Sequence, residues 1–188
     1  MTAAGDWDLV RRVQEGDAGA FAELVRRYEQ PVIHFCQRMV NSREDAEDLA
    51  QEAFVRVYRN IGKLEPQAKF STLLFGIARN LALNHLRDTG RRGRGKTDAL
   101  DDHVLAAEPR TGPVFQAEQS EMLALIERAL NRLSPDHREV LLLRELQGMD
   151  YDGIAEVIGC RKGTVKSRIA RAREQLRLEL VALGGLMP

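Results

Sequence analysis

Apolar positions in this chain recur at steps of three and four, and strand-type alternation is nearly absent. Phe21, Leu24, Val25, Tyr28, Val32, Phe35, Cys36 and Met39 form one stripe, the spacing of an amphipathic helix. Asp17 follows Gly16 and is placed to cap that helix, and Pro31 is expected to bend it. Ser42 with Asp45 three positions on resembles a capping box. It opens a helix whose inward stripe is Ala46, Leu49, Ala50, Ala53, Val57 and Ile61, stopped by Gly62. A loop containing Pro66 leads to a third helix over about 71–88, with Leu74, Ile77, Ala78 and Leu81 inward.

The character then changes. Residues 89–113 hold four Gly, two Pro and a run of charges with no apolar period, which reads as a linker. A second helical set follows. Met122, Leu125, Ile126, Ala129, Leu130 and Leu133 form one stripe. Ser134-Pro135 is an N-cap followed by proline at the first helical position. The helix it opens carries Val140, Leu141 and Leu143 and is expected to end near Gly148. Asp150 caps a short helix that Gly159 ends, and a last helix runs over about 162–180. Gly153, inside the short helix, costs roughly 1 kcal/mol against Ala, and the pattern offers no reason for it. The expected fold is all-α: two small helical domains, 1–89 and 116–188, joined by a flexible linker over 90–115, the C-terminal one a helix-turn-helix domain.

Composition removes several classes. Two Cys cannot build a disulfide scaffold or a four-thiolate zinc site. No apolar run approaches the ~20 residues of a membrane helix, so no membrane insertion is expected. The first residues lack a basic and then apolar leader. The expected setting is therefore a reducing cytoplasm. His34, His85, His103 and His137 show no metal-ligand spacing, no glycine-rich phosphate loop follows a strand, and no cofactor is expected. These features disfavour an enzyme.

Charge changes the picture further. The chain has 28 basic and 28 acidic side chains and a formal net charge of zero, which by itself argues against a nucleic-acid partner. Fields act locally, however, and the charge is sorted. Residues 161–177 hold seven bases and one acid, residues 118–156 nine acids and four bases, and residues 43–52 five acids and one base.

The basic segment sits on the second helix of a helix-turn-helix pattern. At about 100° per residue, Val165, Ile169, Ala172 and Leu176 share one line and must face the core. The opposite side carries Gly163, Ser167, Ala170, Arg171 and Glu174, flanked by Lys166, Arg173 and Arg177 on one side and Arg168 on the other. Small and hydrogen-bonding residues at the centre, with cations on the flanks, suit a major-groove reader. Arg171 is the best candidate for a bidentate guanine contact, with Ser167 second. Cys160, in the turn, is expected to pack as a small apolar residue.

In the first half, the face opposite the core stripe of the second helix presents Asp48, Gln51, Glu52, Val55 and Arg59. An acidic face with an apolar centre suits a basic protein partner, or it is an ordinary solvated face. On the next helix Arg79, Asn80 and Arg87 are polar, and the loop before it offers Gln67, Lys69, Phe70 and Ser71. Loop polar groups, an aromatic and cations together can hold single-stranded nucleic acid. Alone, Phe70 is more often a core residue by type.

These residues carry a family resemblance. DAEDLAQEAFVRVYRNI (45–61), FSTLLFGIARNLALNHLRD (70–88) and YDGIAEVIGCRKGTVKSRIARAREQLR (151–177) together resemble bacterial sigma factors of the extracytoplasmic-function group, over nearly the whole chain. The resemblance implies a protein that binds core RNA polymerase and directs it to promoter DNA, usually under a cognate anti-sigma factor. It implies that Asp48, Gln51, Glu52 and Val55 meet the clamp helices of the largest polymerase subunit, and that the C-terminal domain meets the flap region. It places minus-ten recognition and opening on Gln67, Lys69, Phe70 and Ser71 of the loop and on Arg79, Asn80, Asn84 and Arg87 of the helix, with an unpaired base held in the loop. Minus-thirty-five reading falls on Lys162, Thr164, Lys166, Ser167, Arg168, Arg171 and Arg173. The chain departs from the family pattern at Leu73, often an aromatic, and at Gly76, often basic, so stacking and charge on the opening helix are both reduced. The alternative is a helix-turn-helix regulator that acts without polymerase, and the acidic Asp48/Glu52 face discriminates between the two.

Overall fold

The computed structural model describes residues 4–92 and 113–184. The described residues form eight α-helices and no strand: α1 (Asp6–Gln14), α2 (Ala18–Val40), α3 (Arg43–Asn60), α4 (Phe70–Arg92), α5 (Pro113–Arg132), α6 (Pro135–Leu141), α7 (Tyr151–Ile158) and α8 (Lys162–Ala182). A 3-10 turn, Ile61–Lys63, follows α3, and a π-helical stretch, Leu142–Leu146, follows α6. Most of the expected linker, residues 93–112, lies outside the described residues.

The capping chemistry works as the pattern implies. The Asp17 side chain accepts from the backbone N–H of Gly19 and Ala20, Ser42 from Asp45, Ser134 from His137, and Asp150 from Gly153. Gly159 ends α7 at φ 69°, in the left-handed region where a Cβ is costly, so the turn into α8 depends on it. Asn41 takes the same conformation, φ 56°, at the end of α2. The helix continues through Pro31 to Val40.

Three expectations shift. α1 is an additional helix, with Asp6 and Asp8 in its first turn, Arg11 and Arg12 in its last, and Leu9 and Val10 buried. α4 runs past residue 88 to Arg92: the Thr89 hydroxyl donates to the carbonyls of His85 and Leu86, so it turns back onto the helix instead of breaking it. α6 stops at Leu141 and passes into the π-helical stretch before Gly148 turns the chain at φ 62°.

The two helical units pack together. One hydrophobic cluster runs from Leu9, Leu24, Phe35, Phe70 and Phe75 of the first to Leu142, Leu143, Ile154 and Ile169 of the second. α7 lies along α4. Gly153 finds its reason in its own cap: a Cβ added to it would crowd Asp150 Oδ1 at 3.1 Å, while Thr72 Oγ1 of α4 lies at 3.6 Å, an ordinary contact.

The polar seam is held by buried charges. Arg138, 8% exposed, donates to the carbonyls of Met39 at 2.9 Å and Arg38 at 3.3 Å at the end of α2, and to those of Leu130, Asn131 and Leu133 at the end of α5. Burial lowers its pKa, and the helix-end carbonyls supply the compensating negative potential. Asn131 donates to the Asn41 side chain at 2.8 Å, and Arg38 pairs with Glu127 at 3.4 Å.

Candidate functional site

Three surfaces carry the sequence-derived candidates. The first is α8. Val165, Ile169 and Ala172 are buried, which turns Thr164, Lys166, Ser167 and Arg171 to solvent. Lys166 and Arg171 have no ion-pair partner among the described residues, and the Ser167 hydroxyl donates to the Thr164 carbonyl at 3.0 Å. Lys162 pairs with Asp152 at 2.7 Å and Arg173 with Glu145 at 2.6 Å, and these carboxylates raise the pKa of both cations. Both pairs are exposed, so they exchange readily with other anions. Arg168 is different. It is half-buried and points into the seam, 3.4 Å from Glu139 and 3.7 Å from Asp136.

The second surface is the loop before α4 and the α4 face itself. A pocket of about 520 Å³ opens there, lined by Trp7, Leu64, Gln67, Ala68, Leu73, Gly76 and Asn80, with Glu156 and Val157 of α7 on its far side. Gln67 and Asn80 thus come together at one pocket. Lys69, on the same loop, bonds to Asp150 at 3.1 Å, and Arg79 makes a bidentate pair with Glu139 at 2.7 and 3.1 Å. Asn84 and Arg87 are exposed further along α4 and bond each other at 3.1 Å. Ser71 is half-buried. Phe70 is 1% exposed and packs against Trp7 and Tyr28, so its ring supports the loop from beneath.

Glu139 joins the two surfaces. It is 0% exposed and accepts from Arg79 and Arg168, one from each set of DNA candidates. Burial raises its pKa and Arg79 opposes the rise. Asp150 moves the other way: the Gly153 N–H, then Lys69, lower its pKa. Sequence reasoning named neither Arg138 nor Glu139 as important. The one signal is position: Arg138 and Glu139 directly precede the apolar run Val140–Leu143, and charges that the fold buries there need partners.

The third surface is a groove of about 630 Å³ between α2 and α3. Gln51 and Val55 line it with Phe21, Val25, Phe54 and Tyr58, and Glu29 and Glu47 edge it. Phe21 and Tyr58 rings lie 4.8 Å apart, and Tyr58 is 52% exposed, a large aromatic surface left open to solvent. Asp48 is exposed one turn before Glu52, which bonds to Arg56 at 2.7 Å. The four candidates therefore share one helix face, two in the groove and two on its acidic flank.

No group of His, Cys, Asp and Glu among the described residues is arranged to hold a metal ion. No described helix is long and apolar enough to cross a membrane. Cys36 is buried, which pushes its thiol up to about 12, and Cys160 is half-buried in the turn against the core.

Residues 24–92 match the family described as Sigma-70 region 2, and residues 123–176 match Sigma-70, region 4. The chain belongs to the sigma-70 family of RNA polymerase sigma factors, in its extracytoplasmic-function group. It is 37% identical over 181 residues to the RNA polymerase sigma-H factor of Pseudomonas aeruginosa, covering 94% of each chain. It is 38% identical over 176 residues to the ECF RNA polymerase sigma-E factor of Escherichia coli K12, covering 91% of this chain and 92% of that one. Among solved structures, CnrH in complex with the cytosolic domain of CnrY superposes with a TM-score of 0.70 at 26% identity, covering 94% of this chain and 97% of that one. The sigma factor RpoE in complex with the anti-sigma factor NepR from Bartonella quintana gives 0.69 at 27% identity, covering 85% and 96%.

Proposed function

We propose that this protein is a promoter-specificity subunit: it binds core RNA polymerase in the cytoplasm, reads the minus-thirty-five duplex with α8, and opens and holds the minus-ten element with the 61–69 loop and α4. The observation that carries the reading is α8. Its apolar line is buried while Lys166, Ser167 and Arg171 face outward after a glycine turn, which suits entry of the helix into a major groove with cations toward phosphates. Lys162, Thr164 and Arg173 serve the backbone, and Arg168 joins them once released from Glu139.

The α2/α3 groove is the polymerase site in this reading. An apolar floor with Val55 and Tyr58, edged by Glu29 and Glu47 and with Asp48 and Glu52 beside it on the same face of α3, fits a helical partner with basic flanks. The clamp helices of the largest polymerase subunit fill that role, and the region 4 unit contacts the flap. The minus-ten pocket with Gln67 and Asn80 accepts an unpaired base, at a cost of a few kcal/mol in lost stacking that loop contacts offset. An anti-sigma factor is a further expected partner, since one of the structural relatives is bound to one.

Run-off transcription with purified core polymerase on a genomic promoter library tests the reading and reports the promoter sequence. Transcripts that begin at discrete sites only when the protein is present are expected. Charge reversal of Asp48 and Glu52 together should abolish binding to core polymerase; unchanged binding removes the groove from the proposal.

A further inference from the structure

α1 lies before the segment that matches Sigma-70 region 2, which begins at residue 24, and none of the roles given above falls on it. Yet α1 holds the minus-ten loop. The Trp7 indole Nε1 donates to the Ala68 carbonyl at 2.8 Å. The Gln14 side-chain amide donates to two carbonyls, of Ile61 at 2.8 Å and of Leu64 at 3.0 Å. Three carbonyls of one loop are thus taken by two side chains lying 47 to 61 residues earlier in the chain.

Beyond these bonds the loop is anchored at its start, where Ile61 is buried and Leu64 packs on the core, and at its end, where Lys69 pairs with Asp150, while residues 65–67 between them are exposed. Its own backbone bonds are short-range ones, Leu64 N–H to Ile61 and Gln67 N–H to Glu65. α1, by contrast, is firmly seated. Leu9 and Val10 are buried, and Asp6 accepts from Tyr28 and Arg27 of α2, each at 2.5 Å. The Trp7 ring meets Phe70 edge-on at 6.3 Å, which ties the start of α4 to the same support, and Trp7 also forms part of the pocket wall. An irregular segment with few buried contacts opens at low free energy, and a binding loop that must first be ordered loses affinity by that amount.

We propose that Trp7 and Gln14 are positioning residues for single-strand recognition: through their side-chain N–H donors they hold the 61–69 loop in the shape that receives an unpaired base. This rests on the minus-ten reading above. Two conservative variants separate this role from simple packing. Trp7→Phe keeps a ring on Phe70 and removes the N–H. Gln14→Glu keeps the shape and turns a donor toward two carbonyls into an acceptor.

Hydrogen exchange on the full chain gives the first readout. The Leu64 and Gln67 amides, whose N–H groups are bonded within the loop, are expected to exchange roughly tenfold faster in either variant, with α2 and α4 amides at wild-type rates. The second readout uses the holoenzyme with core polymerase. Affinity for sequences selected from a random single-stranded DNA pool is expected to fall about fivefold to tenfold, with binding to a selected duplex pool unchanged. Gln14→Lys, which returns N–H donors to the two carbonyls, should recover most of the loss. Unchanged loop exchange in both variants overturns the proposal, as does a loosened loop with single-strand selectivity intact. A wild-type holoenzyme that selects duplex but no single strand overturns the minus-ten reading and this proposal with it, and is distinguished by appearing before any variant is made.

Discussion

The two cationic surfaces of this molecule are covered to different degrees, though each mixes paired cations (Lys162, Arg168 and Arg173 on α8, Arg79 on α4) with open ones. On α8, Lys166 and Arg171 stand in solvent without ion-pair partners among the described residues. On the α4 side, Lys69 is bonded to Asp150 and Arg79 to Glu139, and α7 walls the adjoining pocket with Glu156 and Val157. Both surfaces have similar side chains. What differs is the element opposite. The acidic stretch 118–156, which by composition could be a partner surface, supplies Glu139 and Asp150 as internal counter-charges for the first unit. Under the proposed function, α8 can meet duplex DNA as the chain stands, whereas α4 meets DNA only after α7 leaves it.

The comparison can be broken at the seam. Arg138→Leu removes the donor to five carbonyls in a buried joint and is expected to cost about 3 kcal/mol or more in unfolding free energy, measured by urea denaturation. An unchanged midpoint means the two units do not depend on this joint. The open surface is tested next. Arg171→Ala should weaken selective promoter binding by about 1–3 kcal/mol, while an equal loss on all sequences makes Arg171 a phosphate contact. The rim of the covered surface gives the smallest effect. Lys69→Ala removes only an exposed pair with Asp150, so the denaturation midpoint should stay within error, and a large drop would show that the rim holds the units together.

Much of the fold was legible because it is local. The caps at Asp17, Ser42, Ser134 and Asp150, the glycine turn at Gly159 and the buried line of α8 follow from residue type and a 3.6-residue period. The candidate site was legible in part. Gln51 and Val55 do share one groove, and Gln67 and Asn80 do share one pocket. Phe70 could be read as a base-stacking ring or a core ring, and its burial against Trp7 and Tyr28 is a matter of what packs around it. α1 went unread because nine residues carry too short a stripe to stand out. Gly153 went unexplained because its reason is side-chain geometry: the Asp150 carboxylate that caps the same helix crowds the place a Cβ would take.

The sequence by itself determined seven of the eight described helices, the caps that start several of them, the outward face of α8 and the membership of a sigma family, since each depends on neighbours within a few residues or on motif spacing. Only the tertiary structure decided which charges are free. Glu139 and Arg138 are ordinary charged letters in the chain. They become the joint because the helices around them exclude water, and a charge out of water must find its partner from whichever element lies across from it. That choice of neighbour pairs Arg79 with Glu139, leaves Arg171 in solvent, and sets Trp7 and Gln14 against a loop some fifty residues away.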